Sequence, residues 1–477
     1  MRILLVNPFG ANWMEGREDR TLTAVRMPPV GILSVAAYLL ERGHDVDVLN
    51  ARGPVNQTGE GDIVRSISSS RPDMVGFTAT TSGFYDAYRQ AETIKRVFPH
   101  TTIVFGGVHV SALREKILES FPCIDFLVTG EGEKAMAALA EGASPETIQG
   151  LVFRSGTEVV CNGLRTDLCV LDDLPFPAYR KLEGFPGDYE MPLFNYPRSP
   201  GATIISSRGC PYQCSYCDRS VYQRSFRFNS AAYLHEHMTY LKREFNIRHI
   251  FFYDDLFTFH RKRIEEFCRL LSKKPLGMTF NCAVRLGHVD DDLLEMLKHA
   301  GCWMVSLGIE SGDPELLGRH KSNVDLEEMK QTVRQIQRKG LRAKGLFMMG
   351  LPGETEESIQ RTADFVEELG LDDMNVTKFT PFPGAPIYKT IHDEGVFHED
   401  WELMNCLNFV YVPKEIASKD RLDELYKQFI RRFYTGKNWV RKFGPLMFRS
   451  PHSTLRLIKN LPAFLKIKSD FAPGKIH

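Results

Sequence analysis

The sequence lacks any run of about 18 uncharged apolar residues, the length that an apolar helix needs to cross a bilayer. Its opening segment, MRILLVNPFG, has too few apolar residues and no small-residue cleavage site for a secretory signal, so it predicts a first strand. There is no net charge, because 60 Lys and Arg residues balance 60 Asp and Glu residues. Ten cysteines in such a chain favour reduced thiols and metal or redox chemistry over a disulfide framework. These features favour a cytoplasmic location.

The length of 477 residues predicts two or three domains, since one compact core rarely grows to this size. In residues 1–145, short β-branched runs alternate with amphipathic helical patterns. Strands are expected at 2–7, 45–50, 73–80, 101–107 and 124–130. This alternation predicts an α/β, doubly wound, Rossmann-like domain whose ligands lie beyond the carboxyl ends of the strands.

A second alternating series follows a predicted hairpin and a linker rich in proline and glycine, which we assign to residues 146–200. Its strands are expected at 203–207, 249–255, 278–284, 303–309, 344–350 and 374–382. Its helices are expected at 231–245, 261–273, 290–300, 326–339 and 356–369. Six strand-helix units are too few for a closed eight-fold barrel and predict a partial (β/α)6 TIM-type barrel over residues 201–395. Residues 396–477 form a helical, basic C-terminal region in this division.

Three cysteines, Cys210, Cys214 and Cys217, form a CxxxCxxC pattern just after the first strand of the predicted barrel. Thiolates gathered on one loop suit an iron–sulfur cluster or zinc. A structural zinc site needs four closed ligands, but there is no second pair, and the nearest histidines, His235 and His237, fall in a predicted helix. Three thiolates on a four-iron cluster leave one iron open to bind another molecule. The pattern therefore favours a catalytic [4Fe-4S] cluster, with a zinc loop as the alternative.

With Tyr216 as the aromatic residue of CxxxCx-aromatic-C, the sequence resembles the radical S-adenosylmethionine (SAM) enzymes. Later segments resemble the following barrel strands of that family in order: FFYDDLF, NCAVRLGHVDDDLLEMLKHAGC, SLGIESGDPELL, GLFMMGLPGETEES and KFTPFPGAPIY. The resemblance implies SAM contacts from a set of residues on these segments: Tyr216, Asp254, Asp255, Arg285, Glu310 and Gly350. It also implies that the cluster cleaves SAM to a 5′-deoxyadenosyl radical, with an electron from a donor such as flavodoxin or ferredoxin.

The first domain resembles the cobalamin-binding domain that precedes the barrel in one large radical SAM class. The segments that carry this likeness are PPVGILSVAAYLLERGHDVDVLN, GGVHVSALREKILE, TGEGEKAMAAL and LDDLPFPAY. The candidate cobalamin contacts lie on the loops after the strands, where glycines let the backbone approach a flat ring and hydroxyls can donate hydrogen bonds: Thr80, Thr81, Ser82, Gly106, Gly107, His109, Glu131 and Gly132. For His109, capping a helix is the alternative. The first loop, NPFGANWMEG, has no histidine where histidine-donating cobalamin domains carry DxHxxG, so cobalt would lack a histidine ligand. A domain that has kept this fold and lost cobalamin is the alternative.

The C-terminal tail combines basic residues with bulky apolar residues. Residues 431–477 contain eleven Lys and Arg residues and one acidic residue, Asp470, interleaved with bulky apolar side chains. A solvated run of charge would not carry those apolar residues, so the pattern favours peripheral docking at an anionic membrane face, the inner one in a cytoplasmic protein. Packing onto the acidic remainder of the chain is the alternative, and we expect no nucleic acid partner.

These observations together predict a radical SAM enzyme, and the resemblance favours cobalamin-dependent methylation of an unactivated carbon in a hydrophobic small molecule or lipid. The alternative within the class is radical cyclisation, rearrangement or coupling without methyl transfer, as in anaerobic magnesium-protoporphyrin ester cyclase. A tRNA methylthiotransferase would need three further N-terminal cysteines, and only Cys123 precedes residue 145. A non-catalytic cobalamin-binding partner is disfavoured by the intact cysteine triplet.

Overall fold

A computed structural model describes residues 1–8, 10, 12–16, 18–19, 26–51, 60–321, 324–435 and 439–461. Two sheets dominate this part of the chain. The first has seven strands: β1 (Arg2–Asn7), β2 (Asp45–Asn50), β3 (Met74–Thr78), β4 (Thr102–Gly106), β5 (Phe126–Val128), β6 (Leu151–Ser155) and β7 (Glu158–Cys161). Their order is β2-β1-β3-β4-β5-β6-β7. Strands β1 to β5 are parallel, and the β6–β7 hairpin adds to β5 in antiparallel fashion.

Helices cover both faces of this sheet. They are α1 (Val30–Glu41), α2 (Glu60–Ser70), α3 (Phe84–Val97), α4 (Val108–Leu113), α5 (Glu115–Ser120) and α6 (Glu133–Ala140). Strand β1 shows why two layers of helices are needed: Ile3 and Leu5 belong to one hydrophobic core, whereas Leu4 and Val6 belong to the other. Because alternate side chains of a strand point to opposite faces, a continuous apolar run such as ILLV must be covered on both sides.

The second sheet has six strands, all parallel, in simple sequence order. They are β8 (Gly201–Ile204), β9 (His249–Phe252), β10 (Thr279–Val284), β11 (Cys302–Glu310), β12 (Arg342–Met349) and β13 (Asp373–Lys378). The intervening helices are α7 (Ala231–Phe245), α8 (Arg261–Lys273), α9 (Asp291–His299), α10 (Pro314–His320), α11 (Leu326–Arg338) and α12 (Glu356–Leu369). This is the predicted partial (β/α)6 barrel, and α7, α8 and α12 have the predicted bounds.

Two features of the helices differ from the sequence-based expectation. Helix α10 was not predicted, although Asp313 caps it by accepting a hydrogen bond from the Leu316 amide at 2.8 Å and Pro314 occupies its first turn. Apolar residues recur at helical spacing over residues 111–121, a pattern that predicts one helix, but Arg114 has a φ of +49° and separates α4 from α5. A positive φ is incompatible with a continuous right-handed helix.

The C-terminal region is helical where it is described, in α13 (Lys419–Thr435), α14 (Trp439–Arg449) and α15 (Pro451–Lys459). Helix α15 packs on the segment 190–196 that precedes β8. Arg456 pairs with Glu190 at 2.9 Å and donates to the Met191 carbonyl, and the Ser453 hydroxyl accepts from the Phe194 amide. Residues 462–477 of the predicted basic tail lie outside the described residues. Within the described ranges, no helix combines the length and apolar character required to span a bilayer.

Candidate active site

The three predicted cluster ligands lie on the loop that follows β8, at the carboxyl end of the barrel. Two short antiparallel strands, Ser207–Arg208 and Arg227–Phe228, hold the base of this loop. Cys210 is half-buried, Cys214 is buried and Cys217 is exposed. Across the described part of the chain, no three side chains of His, Cys, Asp or Glu converge on one point as in a single-ion site.

Cationic groups favour the thiolate form of Cys214. A hydrogen bond with the Cys217 thiol lowers the pKa of Cys214 most, and the positive charge of Lys321 and a hydrogen bond from Arg285 lower it further. The Arg285 Nη1 to Cys214 Sγ distance is 3.9 Å. Burial raises the pKa of Cys210. Since thiolates are the metal-binding form, this donor set and its cationic surroundings fit an iron–sulfur cluster.

Other predicted SAM contacts surround the same loop. Arg285 stacks over the Tyr212 ring at 3.8 Å, and Tyr216 is buried. Glu310, at the end of β11, has a φ of +67° and pairs with Lys321 at 3.1 Å. The predicted Glu310 therefore faces the cysteine loop together with a lysine that sequence reasoning missed, because Lys321 follows the unpredicted helix α10.

The two aspartates that follow β9 have different surroundings. Asp254 is buried and accepts hydrogen bonds from the Ser206 amide and hydroxyl, and burial raises its pKa. Asp255 lines the central cavity, where burial again raises the pKa most, with the Asp254 charge adding to the effect. Both aspartates line the cavity, but Asp254 is buried and bonded to Ser206, whereas Asp255 is exposed.

Gly350 lies in a tight loop after β12 that has a positive φ of +94°. The Gly350 amide donates to the carboxylate of Glu354, which is only 2% exposed, and burial raises the pKa of Glu354 to about 8. His320 joins this loop to the cysteine loop, since its Nε2 lies 2.7 Å from the Pro352 carbonyl and its Nδ1 lies 2.8 Å from the Ser215 hydroxyl. His320 and Glu354 were not predicted, and a lone histidine or glutamate in a sequence gives no sign of such a link.

A cavity of about 900 Å³ fills the barrel beneath the cysteine loop. Its walls combine apolar and polar side chains from the barrel, from segment 190–196 and from the first domain. A volume of this size is at the upper end of the range for small-molecule sites. The cavity is therefore large enough for a small-molecule ligand, and Asp254 and Asp255 are the predicted SAM contacts that line it.

The first domain has a slot of about 230 Å³ at the carboxyl ends of β1, β3, β4 and β5. This is the point where the strand order reverses, at which doubly wound sheets bind ligands. Glycines form much of its wall: Gly31, Gly76, Gly106, Gly107, Gly130 and Gly132. A Cβ on Gly76 would lie 2.8 Å from the Leu5 side chain, and one on Gly107, whose φ is +103°, would lie 2.7 Å from the Ala79 carbonyl. The narrow, apolar slot fits a flat ring of the cobalamin nucleotide tail.

The slot includes only some of the predicted cobalamin contacts. Gly106, Gly107, Glu131 and Gly132 line the slot. Thr80, Thr81, Ser82 and His109 are not among its lining residues. His109 is fully buried, with Nδ1 3.2 Å from the Thr81 hydroxyl and its ring 4.4 Å from that of Trp401, and burial lowers its pKa to about 3.

Arg208 joins the slot to the cysteine loop. Its guanidinium pairs with Glu131 at 2.5 Å and with Glu133 at 2.6 Å, and all three side chains are nearly buried. Glu131 also pairs with Arg227, and Glu133 accepts from the Ser34 hydroxyl at 2.8 Å. Burial raises the pKa of Glu133, but the charge and hydrogen bonds of Arg208 outweigh it, so the net pKa is lowered. Glu131, predicted as a cofactor contact, is thereby also an ion-pair partner of the barrel.

The fold and the cysteine loop define an enzyme that works through an iron–sulfur cluster and SAM. The family model described as the radical SAM superfamily matches residues 204–366, and the model described as the B12 binding domain matches residues 21–140. The chain thus carries a radical SAM domain and a B12-binding domain, and these two domains imply a [4Fe-4S] cluster, SAM and cobalamin as its cofactors. The predicted fold class and cofactors are confirmed.

Relatives cover most of the chain. An uncharacterized methyltransferase of Pyrococcus horikoshii is 28% identical over 440 residues, which are 91% of this chain and 92% of the relative. The anaerobic magnesium-protoporphyrin IX monomethyl ester cyclase of Rubrivivax gelatinosus is 27% identical over 451 residues, 92% of this chain and 78% of the relative. The solved structure of the cobalamin-dependent S-adenosylmethionine radical enzyme OxsB, with aqua-cobalamin and SAM bound, has a TM-score of 0.72 at 16% identity, covering 98% of this chain and 75% of that one. This structural likeness shows the fold.

Proposed function

We propose that the enzyme transfers a methyl group to an unactivated carbon of a hydrophobic small molecule or lipid. The observation that carries this proposal is the shared wall between the slot and the cysteine loop: Arg208, Val221 and Tyr222 of the barrel line the slot beside the first sheet. When bound, the cluster and SAM supply a 5′-deoxyadenosyl radical and cobalamin supplies the methyl group. The name of the Pyrococcus horikoshii relative supports methyl transfer.

In this proposal the chain's own residues bind and orient the cofactors and exclude water from them. Cys210, Cys214 and Cys217 hold the cluster, while Arg285 and Lys321 provide positive charge beside Cys214. Tyr216, Asp255, Glu310 and Gly350 surround the SAM position, and Gly106, Gly107 and Gly132 admit the nucleotide tail. The corresponding division assigns residues 1–145 to cobalamin, 146–200 to the hairpin and linker, 201–395 to the radical barrel and 396–477 to the C-terminal region. An electron donor such as flavodoxin or ferredoxin would reduce the cluster.

A valine at position 106 tests the proposed function. Because a Cβ there makes only ordinary van der Waals contacts, with the Val128 carbonyl at 3.5 Å and the Val128 Cβ at 4.0 Å, Gly106→Val should fill the slot without straining β4. We expect the variant to keep its iron and its 5′-deoxyadenosine formation while losing cobalamin absorbance and methyl transfer. The measurement is anaerobic reconstitution with SAM, reductant and hydroxocobalamin, followed by mass spectrometry of candidate lipid extracts.

The matched control is Gly318→Ala in α10, where a Cβ meets nothing within 4 Å. Methylated product from the wild-type chain and the control, but not from the valine variant, supports cobalamin-dependent methylation. Deoxyadenosine accompanied only by unsaturated or ring-closed products would instead favour the cyclase-like alternative, to which the name of the Rubrivivax gelatinosus relative points.

We further propose peripheral contact between the C-terminal region and an anionic membrane surface, at the inner face if the protein is cytoplasmic. Helices α14 and α15 expose large apolar side chains to solvent: Phe448 is 88% exposed, and Leu455 and Ile458 are each 59% exposed. Arg449 and Lys459 lie on the same two helices. Apolar side chains with nearby basic residues match the requirements of an interfacial helix.

Serine replacements on this surface should weaken membrane binding. We expect Phe448→Ser with Ile458→Ser to reduce co-sedimentation with phosphatidylglycerol vesicles at least about tenfold, since burying each large apolar side chain contributes about 1.5 to 3 kcal/mol. The control is Val396→Ser, which alters a 73% exposed valine away from these helices. Equal sedimentation of the double variant and the control would contradict the membrane proposal.

A further inference from the structure

The barrel interior carries a charged pair where barrels usually carry branched apolar side chains. Register places Ser306 of β11 beside Lys344 of β12, and Lys344 beside Asp373 of β13. The Lys344 and Asp373 side chains are 14% and 13% exposed, and Lys344 lines the cavity. Buried charges are costly and are weak evidence for stability, so this pair calls for a functional explanation.

Lys344 has bonding capacity that the protein does not use. Its Nζ lies 2.8 Å from the Asn195 amide oxygen and 3.2 Å from the Asp373 carboxylate. An ammonium group has three donors, so one N–H is left without an acceptor among the described residues. Asp373, by contrast, also accepts from the Asn195 amide at 3.0 Å and from Tyr434 at 3.3 Å. The Asp373 carboxylate therefore has several hydrogen-bond donors, whereas the Lys344 ammonium has one N–H without an acceptor among the described residues.

Two further polar residues line the same cavity, Asn281 and Arg26. Asn281 is buried, its amide nitrogen donates to the Asn195 carbonyl at 2.5 Å, and its Oδ1 has no hydrogen-bond partner in the described structure. Arg26 lines the cavity, and its backbone amide donates to the Glu190 carbonyl at 2.9 Å, which fixes it beside segment 190–196. Its guanidinium forms no ion pair with the residues that the structure describes. The cavity thus presents two cations with unused donors, Lys344 at the end remote from the cysteine loop and Arg26 in the wall beside segment 190–196.

The rest of the cavity is arranged by charge and polarity. Asp254 and Asp255 lie at the opposite end, next to the cysteine loop. Phe251 and Met304 lie level with Asn281 in the strand register, and nearer the carboxyl ends of the strands the walls include Tyr253, Ala283 and Leu346. A molecule that matches this cavity has an apolar body and an anionic group at the end remote from the cluster.

We propose that Arg26 and Lys344 select a substrate that carries a carboxylate or phosphate on an apolar body. The inference rests on the proposed function, because it takes the barrel cavity as the substrate chamber, and it narrows the substrate class to anionic amphiphiles. The anion accepts from Lys344 Nζ and the Arg26 guanidinium, and a hydroxyl or amide donor of the substrate reaches Asn281 Oδ1. The apolar body lies along Leu346 and Tyr253, toward the cysteine loop.

Matched amphiphiles test this selection. Dodecanoate, dodecyl phosphate and dodecylammonium, each below its micelle concentration, are titrated calorimetrically into anaerobically reconstituted enzyme with SAM present. Charge-assisted hydrogen bonds contribute about 1.5 to 3 kcal/mol, so the two anions should bind at least about tenfold more tightly than the cation. Comparing the two anions distinguishes a carboxylate site from a phosphate site.

Substitutions test whether Arg26 and Lys344 cause the preference for anionic amphiphiles. Arg26→Gln and the double variant Lys344→Met with Asp373→Asn, which leaves no unpaired buried charge, should each weaken anion binding about tenfold and leave dodecylammonium unchanged. The control is Lys116→Met, at an exposed position in α5. Equal affinity for anions and cation, or anion binding unchanged in both variants, would overturn the proposal.

The same preparations separate this inference from the proposed function. Deoxyadenosine formation from SAM and reductant, without any added substrate, reports the radical chemistry independently of the amphiphile titration. Loss of deoxyadenosine formation in the wild-type chain with intact anion preference would reject the radical function and leave the binding site. Normal deoxyadenosine formation without anion preference would reject only the substrate class.

Discussion

Replacing Cys214 by alanine is expected to leave the enzyme without a stable cluster. Deoxyadenosine formation from SAM and reductant should fall by at least about 100-fold, because changes even to the partners of metal ligands cost about 10- to 100-fold. Cys214 is the thiol whose pKa is lowered by Cys217, Lys321 and Arg285 together, so its loss removes the thiolate that the surrounding charges favour most. Iron and zinc content, the electron paramagnetic resonance of the reduced protein and deoxyadenosine yield are the measurements.

The matched control is Cys123→Ala, which alters a half-buried free thiol in the first domain. It should retain iron, the resonance of the reduced cluster and deoxyadenosine yield. If the Cys214 variant kept a cluster with the wild-type resonance, or if zinc replaced iron in the wild-type chain, the cluster assignment would have to be abandoned.

Removing the Arg208 guanidinium should destabilise the enzyme more than removing any exposed cation. Arg208→Met leaves Glu133, which is 4% exposed, without its cationic partner, and breaking a buried ion pair in this way costs about 3 to 5 kcal/mol. The control is Arg432→Met, whose partners Asp364 and Glu367 are mostly exposed, with an expected cost below about 1 kcal/mol. Urea unfolding under anaerobic conditions, followed by circular dichroism, gives both values.

The loss of unfolding free energy in Arg208→Met should depend on pH. In the wild-type chain the pKa of Glu133 is lowered, so its contribution to stability is present above the unfolded-state pKa and is lost as the pH falls through the folded-state pKa. In the variant, burial without Arg208 raises that pKa, so the stability of the variant falls as the pH rises. A deficit that is constant from acid to neutral pH would contradict this account, and Glu133→Gln in the variant background should restore stability.

Much of the fold follows from periodicity alone. Strand β1 and helices α7, α8 and α12 have the bounds that the apolar patterns predict, because long amphipathic helices and apolar strands carry strong local signals. Helix α10 has seven residues, too few for a periodic pattern, so only its Asp313 and Pro314 cap marked it. The three cysteines were found because their spacing is local and specific.

Contacts between residues that are far apart in the chain could not be predicted from the sequence. Lys321 meets Glu310 only because α10 turns back toward the end of β11, and Arg208 meets Glu133 only because two domains pack together. Thr81 and His109 were predicted in the cofactor crevice from their place on loops after strands. Packing against Phe84 and Trp401, which comes from a distant segment, gives His109 its buried position. Such pairings depend on tertiary approach, which local pattern does not encode.

Helix α15 has two sides with different neighbours, and this has a mechanical consequence. Its inner side grips residues 190–196 through Arg456 and Ser453, while Leu455 and Ile458 point outward. Pro192 and Asn195 of the gripped segment form part of the end wall of the barrel chamber. Helix α15 is therefore connected mechanically, through Arg456 and Ser453, to a segment that lines the chamber.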